Sequence, residues 1–133
     1  MSLNPDPQPG QLHPEAQRGL ELFNQGDYFE AHEHLELAWM NSPSPERDLY
    51  QGLLQVGVGY FQIKRGNYRG ALKMFKRGRR NLQPLPDQLL GIDVAQLLVD
   101  AHRVENTLRS LGPARVEDFD LGSFREVPLV PES

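Results

Sequence analysis

The chain of 133 residues carries 18 acidic and 14 basic side chains, a net charge of −4, and no cysteine. That length predicts one domain with a real hydrophobic core, and the negative balance excludes a general polyanion binder. The lack of cysteine removes disulfides, thiol catalysis and thiolate metal sites and fits a reducing cytoplasm, while no apolar run approaches the ~20 residues of a membrane helix.

Residues 1–13 read as a loose arm, because Pro5, Pro7 and Pro9 cannot sustain a helix. Residues 1–14 also lack the basic and apolar regions of a signal peptide. The bundle proper is expected over 14–112. A first helix runs from Pro14, tolerated at the first helical position, to Gln25, with Ala16, Leu20 and Phe23 as its apolar stripe and Gly26 as its stop. A second opens at Asp27, with Glu30 three residues on as a variant capping box, and turns Tyr28, Ala31, His32, Leu35 and Trp39 inward. It stops at Asn41-Ser42-Pro43.

A third helix starts with Ser44 as cap and Pro45 as first helical residue and extends to Arg65. From Leu49 to Ile63 it is apolar nearly all round, the mark of a helix surrounded by others. Gly52, Gly57 and Gly59 each cost roughly 1 kcal/mol of propensity against Ala, and close approach of neighbouring helices is the expected return. A fourth helix is capped by Asn67 and runs to about Leu82, with Tyr68, Ala71, Leu72 and Phe75 inward, before Pro84 and Pro86 break the chain. Asp93 with Gln96 opens a fifth, which buries Val94, Leu97, Leu98, Ala101, Val104, Leu108 and Leu111 and ends at Gly112-Pro113. Residues 113–133 form a tail in which Phe119, Leu121, Phe124, Val127 and Leu129 are available to pack across the bundle.

Gly26-Asp27-Tyr28-Phe29-Glu30-Ala31 recurs as Gly66-Asn67-Tyr68-Arg69-Gly70-Ala71, an offset of 40. This is the grammar of tetratricopeptide-like hairpins, whose usual period is ~34 and whose open solenoids need at least three repeats. Two hairpins and a fifth helix predict an all-α class and a compact bundle with a central buried helix.

Polar residues recur where burial is expected. Glu33 and Glu36 share a stripe with Phe29 and Met40 and are expected half-buried, while Glu30, His34 and Leu37 form a more exposed stripe and His32 lies on the apolar face. On the third helix Arg47, Gln51, Gln55 and Gln62 fall on one stripe. Buried polar groups need partners, and the simplest arrangement has Glu33 and Glu36 facing Arg47, Gln51 and Gln55. His102 and Glu105 on the fifth helix are placed to join them.

Three readings stay open: a structural network that fixes helix register, a pocket for a small polar ligand beside Trp39 and Tyr28, and a metal site of Glu33, Glu36, His102 and Glu105. In the metal reading the ligand types fit and the motif order does not. A zinc-protease motif is excluded, because His32 and His34 are two apart, about 200° around a helix, where the motif needs four. No phosphate loop, nucleophile elbow or dinucleotide fingerprint is present, and Gly57-Val58-Gly59 reads as helix packing.

No acid occurs between Asp48 and Asp87, and that gap holds eight of the 14 basic residues. Arg69, Lys73, Lys76 and Arg80 make one outward stripe. The readings are a solvated face, a surface for a protein partner or for the acidic surface of a second subunit, and last a nucleic-acid site, which lacks exposed aromatics for base stacking.

Gly-Asp-Tyr-Phe-Glu-Ala-His-Glu-x-Leu-Glu-x-x-Trp at 26–39 resembles the signature of a bacterial and archaeal family called domain of unknown function 309. Arg47, Gln51-Gly52-Leu53-Leu54-Gln55 and Tyr60 resemble its next helix, and Gly66-Asn67-Tyr68 with Gly70-Ala71 the helix start after it, so the likeness covers roughly 15–112. The resemblance implies a small all-helical domain around one central helix. It implies no substrate, cofactor or catalytic residue, but it makes Glu30, His32, Glu33, Glu36, Trp39, Arg47, Gln51 and Gln55 one expected cluster. The function expected is a cytoplasmic binding or interaction module without an obligate cofactor, serving a small polar ligand or a protein partner. The alternatives are a metal-assisted hydrolase and weak nucleic-acid binding through Arg69, Lys73, Lys76 and Arg80.

Overall fold

Two glycine-ended turns set the architecture of the first half. The computed structural model describes residues 11–131, so Pro5, Pro7, Pro9 and the rest of the expected arm up to residue 10 lie outside the described residues. The end of that arm is anchored. Leu12 packs on the core, the His13 backbone N–H donates to the Tyr50 hydroxyl at 2.9 Å, and His13 Nδ1 caps α1 by accepting from the Glu15 N–H at 3.0 Å. The helices are α1 (Pro14–Asn24), α2 (Tyr28–Met40), α3 (Glu46–Lys64), α4 (Tyr68–Leu82) and α5 (Val94–Leu111).

Gly26 and Gly66 take φ of 83° and 76°, which L side chains rarely adopt. Each turn closes with the same pair of bonds: Gly26 N–H to Phe23 O and Asp27 N–H to Leu22 O, both 2.9 Å, then Gly66 N–H to Ile63 O at 2.9 Å and Asn67 N–H to Gln62 O at 2.8 Å. These satisfy the carbonyls that a helix end leaves orphaned. The next helix is then capped by the Asp27 carboxylate, which accepts from Glu30 N–H at 3.4 Å, or by the Asn67 amide oxygen, which accepts from Gly70 N–H at 2.9 Å. The expected return bond from Glu30 is not made, because the Asp27 N–H is already given to Leu22. The repeat is therefore one structural device used twice.

The start of α3 differs from expectation. Pro45 is the capping residue rather than the first helical one, and Ser44 provides no cap. The Arg47 N–H is satisfied instead by the Pro43 carbonyl at 2.9 Å. Beyond that, α3 is the buried axis, with α2 against it on one flank and α4 on another. Its glycines mark the contacts. A Cβ on Gly52 would fall 2.5 Å from Leu82, one on Gly57 3.1 Å from Phe23 and one on Gly59 2.7 Å from Phe75. Around Tyr60 an aromatic core gathers Phe23, Tyr28, Phe75 and Phe124. Burial pushes the Tyr28 phenol up to about 12 and the Tyr60 phenol up as well.

Past α4 the structure adds an element not foreseen. Beyond the Pro84–Pro86 break, β1 (Gln88–Leu89) pairs antiparallel with β2 (Ile92–Asp93) through a two-residue turn at Leu90 and Gly91, both at positive φ. The tail lies alongside it, with Asp93 N–H donating to Pro128 O at 2.9 Å and Val130 N–H to Gly91 O at 2.8 Å. Two 3-10 turns, Pro113–Asp118 and Leu121–Ser123, lead into this extended run. Phe119 and Val127 are buried as expected, and Phe124 stacks on Tyr60 with centroids 4.5 Å apart. Leu121 and Leu129 are exposed instead: Leu121 opens a short surface turn, and Leu129 contributes its backbone bridge to Ile92. No helix among the described residues is long and apolar enough to cross a membrane.

Candidate functional site

The expected polar cluster between α2 and α3 does not converge. The buried edge of α2 is Tyr28, Ala31, Leu35 and Ala38. At about 100° per residue, Glu33 projects about 180° from the centre of that edge, and Glu30 and Glu36 about 120° to either side. All three are exposed, where half-burial is the expectation for Glu33 and Glu36. Phe29 and Met40, the apolar neighbours that made Glu33 and Glu36 look sheltered, are themselves 52% and 64% exposed.

His32 lies at the margin of the buried edge. Its Nδ1 is 3.0 Å from the Phe29 carbonyl oxygen, and its Nε2 is 3.7 Å from Glu36. His34 Nδ1 reaches back to the Glu15 carboxylate on α1 at 2.7 Å. Trp39 is half-buried with the Arg47 guanidinium 5.1 Å over its ring, so these two members of the expected cluster do meet. The Trp39 indole N–H is buried without a hydrogen-bond partner among the described residues.

Past Arg47, Gln55 and Gln62 of the α3 polar stripe find their partners on the other side. The Gln55 amide oxygen accepts from Asn81 Nδ2 on α4 at 2.7 Å, and Gln62 accepts from Asn67 at 3.2 Å. Gly78 lets α4 come close here, since a Cβ on it would lie 3.7 Å from Gln55 Cβ and 3.2 Å from Val56. Gln51 is half-buried. Gln55 is therefore a buried amide satisfied within the α3–α4 pair.

The metal grouping is not assembled either. Glu33 and Glu36 are exposed on α2, and His102 is exposed on α5. Glu105 is 3% exposed and held by two guanidiniums, Arg79 of α4 and Arg109 one helical turn on, at 3.1 Å. Among the described residues no group of three or more His, Asp or Glu is placed to hold a metal ion. The physical reason is that α2 packs on α1 and α3 whereas α5 packs on α4, which sets the two halves of the grouping on different flanks.

One of the concave features lies between α4 and α5. A groove of about 760 Å³ has Leu98 and Val99 as apolar lining, with Arg79, His102, Arg103 and Asn106 around it. Arg79 is held at its edge by Glu105, and Arg103 is fixed by donating to the Ser123 carbonyl at 2.7 Å. Sequence reading missed this groove, although Glu105 and Arg109 at i and i+4 were a visible sign of an ion pair on α5. Beside it runs the outer face of α4. Ala71, Phe75, Gly78 and Leu82 are its buried edge, and Arg69, Lys73, Lys76 and Arg80 project roughly opposite, all exposed. The helix has no acid, and among the described residues none of these four cations makes an ion pair.

Comparison with known proteins places this frame. Residues 16–74 match the family described as Domain of unknown function (DUF309). The match runs from α1 into α4, a shorter span than the likeness read to residue 112, and leaves the hairpin, α5 and the tail outside it. The chain is 28% identical over 76 residues to an uncharacterized protein of Aquifex aeolicus (strain VF5), which is 56% of this chain and 23% of that protein. It is 36% identical over 75 residues to the uncharacterized protein YpuF of Bacillus subtilis (strain 168), 54% of this chain and 43% of that one. The matched part of the chain thus spans less than half the length of either relative, and neither carries an assigned activity.

Proposed function

We propose that this chain, whose residues 16–74 belong to the family of domain of unknown function 309, is a binding module that takes an acidic, partly apolar protein segment along α4 and the α4–α5 groove. The observation that carries this reading is the outer face of α4. Arg69, Lys73, Lys76 and Arg80 stand at steps of four, three and four residues, exposed and without acidic partners among the described residues. A row of unpaired cations raises the local concentration of anions and speeds their encounter. The groove beside it supplies what a bare charged stripe lacks, an apolar lining at Leu98 and Val99 where aliphatic or aromatic side chains can be desolvated.

A nucleic acid fits this surface less well. Tyr68, on the first turn of α4, is half-buried, so bases find no stacking platform on α4, and the guanidiniums at the groove are already engaged, Arg79 by Glu105 and Arg103 by the Ser123 carbonyl. The test is fluorescence anisotropy of a labelled helical peptide with Glu and Leu on separate faces, run beside a single-stranded oligonucleotide. The peptide should bind with roughly micromolar Kd at low salt and more weakly as salt rises. Lys73→Glu with Lys76→Glu should weaken it by at least about tenfold. Equal affinity in the variant, or tighter binding of the oligonucleotide than of the peptide, contradicts the reading.

A further inference from the structure

We propose that the acidic segment which docks on this basic face is α2 of a second copy of the same chain. The inference rests on the reading of α4 given above and names the partner for that site.

The outer face of α2 is the counterpart of α4. It presents Glu30, Glu33 and Glu36, and the helix contains no Lys or Arg. Glu30 and Glu33 make no ion pair among the described residues, and Glu36 has only the 3.7 Å approach of His32. Apolar side chains lie among these carboxylates: Phe29 is 52%, Leu37 47% and Met40 64% exposed. Of the six large hydrophobic residues that stand out as exposed among the described residues, three are on this face and a fourth, Val99, lines the groove beside α4. Three exposed apolar groups gathered on one face of α2 mark a contact surface rather than random surface composition.

The lengths agree too. Helices of 13 and 15 residues span about 20 and 22 Å, so the three carboxylates, spread over about 9 Å from Glu30 to Glu36, can lie within the roughly 17 Å of cations from Arg69 to Arg80. Eight basic residues and no acid lie between Asp48 and Asp87, which leaves six basic and 18 acidic residues for the rest of the chain. Such segregation disfavours like faces meeting and favours α2 on α4. Each copy carries one face of each kind, so the contact either closes reciprocally in a dimer or runs head to tail.

The experiment is light scattering on the full chain after size exclusion, at about 20 mM and about 500 mM salt, with a charge-swapped pair of variants. Glu33→Lys with Glu36→Lys reverses α2, and Lys73→Glu with Lys76→Glu reverses α4. All four positions are exposed, and circular dichroism verifies that each variant keeps its helices. The unmodified chain should exceed monomer mass at low salt and fall to monomer at high salt. Each variant alone should be monomeric, and an equimolar mixture of the two should recover the assembly, because the reversed α2 now meets a reversed α4. An unmodified chain that stays monomeric yet binds the acidic peptide overturns this inference and leaves the proposed function standing. A monomer that binds no peptide overturns both. Assembly that survives either reversal, or that the mixture does not restore, places the contact elsewhere and also overturns the inference.

Discussion

Replacing Arg79 by Met should lower the stability of this chain by about 3 kcal/mol, and adding Glu105→Leu should recover most of that loss. Glu105 is the least exposed charged side chain of the core, at 3%, and Arg79 on α4 is its deeper partner. Without Arg79 a buried carboxylate keeps only Arg109, whose side chain is 54% exposed and therefore largely hydrated. That remaining partner holds the expected loss to the low end of the roughly 3–5 kcal/mol seen when one member of a buried pair is removed. Removing both charges takes away the desolvation cost together with the attraction, so the double variant should lie within about 1 kcal/mol of the unmodified chain. Urea unfolding of the four corners of this cycle measures the coupling directly. Equal losses in Arg79→Met and in the double variant would mean that the pair contributes through packing rather than charge.

Gly52→Ala should cost about 2 kcal/mol although Ala is the better helix former by roughly 1 kcal/mol. The new methyl would lie 2.5 Å from both Cγ and Cδ2 of Leu82, and Leu82 is fully buried. Cγ is the branch point of that side chain, so it cannot swing clear without leaving its rotamer or moving α4. The melting temperature should fall by roughly 5–8 °C. An unchanged or raised value would mean that α3 and α4 are further apart than the structure places them.

The parts of this fold that were legible in the sequence are those specified locally. Asp27, Asn67 and Asp93 each cap the helix they precede, and the glycines of α3 meet the close neighbours that their propensity cost foretold. The relation between Gly26-Asp27 and Gly66-Asn67 was visible as a repeat because both copies must solve the same problem of orphaned carbonyls. The β1–β2 hairpin left a faint sign, a glycine two residues before Asp93, but strands of two residues have too little pattern to read.

The site was much less legible, and the reason lies in tertiary geometry. The stripe that Glu33 shares with Phe29 and Met40 suggests half-burial, yet apolar neighbours on a helix do not say which face is covered. Gln55 did need a buried partner, but sequence could not say whether α2 or α4 would supply it. The Arg79–Glu105 pair joins residues 26 apart across two helices and a hairpin, a relation no periodicity announces. The basic stripe was the exception, because a run from Asp48 to Asp87 without an acid is a one-dimensional fact, and its members remained exposed when the helix packed.

The central claim, that α4 and the groove beside it are the binding surface, is tested most directly by following the backbone amide resonances of the isotope-labelled chain as the acidic helical peptide is added. At about 20 mM salt, with Glu33→Gln and Glu36→Gln neutralising the acidic face of α2 so that copies of the chain do not compete with the peptide, the account predicts shifts confined to α4, from Tyr68 to Leu82, and to the part of α5 from Leu98 to Thr107. Shifts centred instead on Trp39 and Arg47, at the α2–α3 edge, would contradict it and return the search to the polar residues of α2.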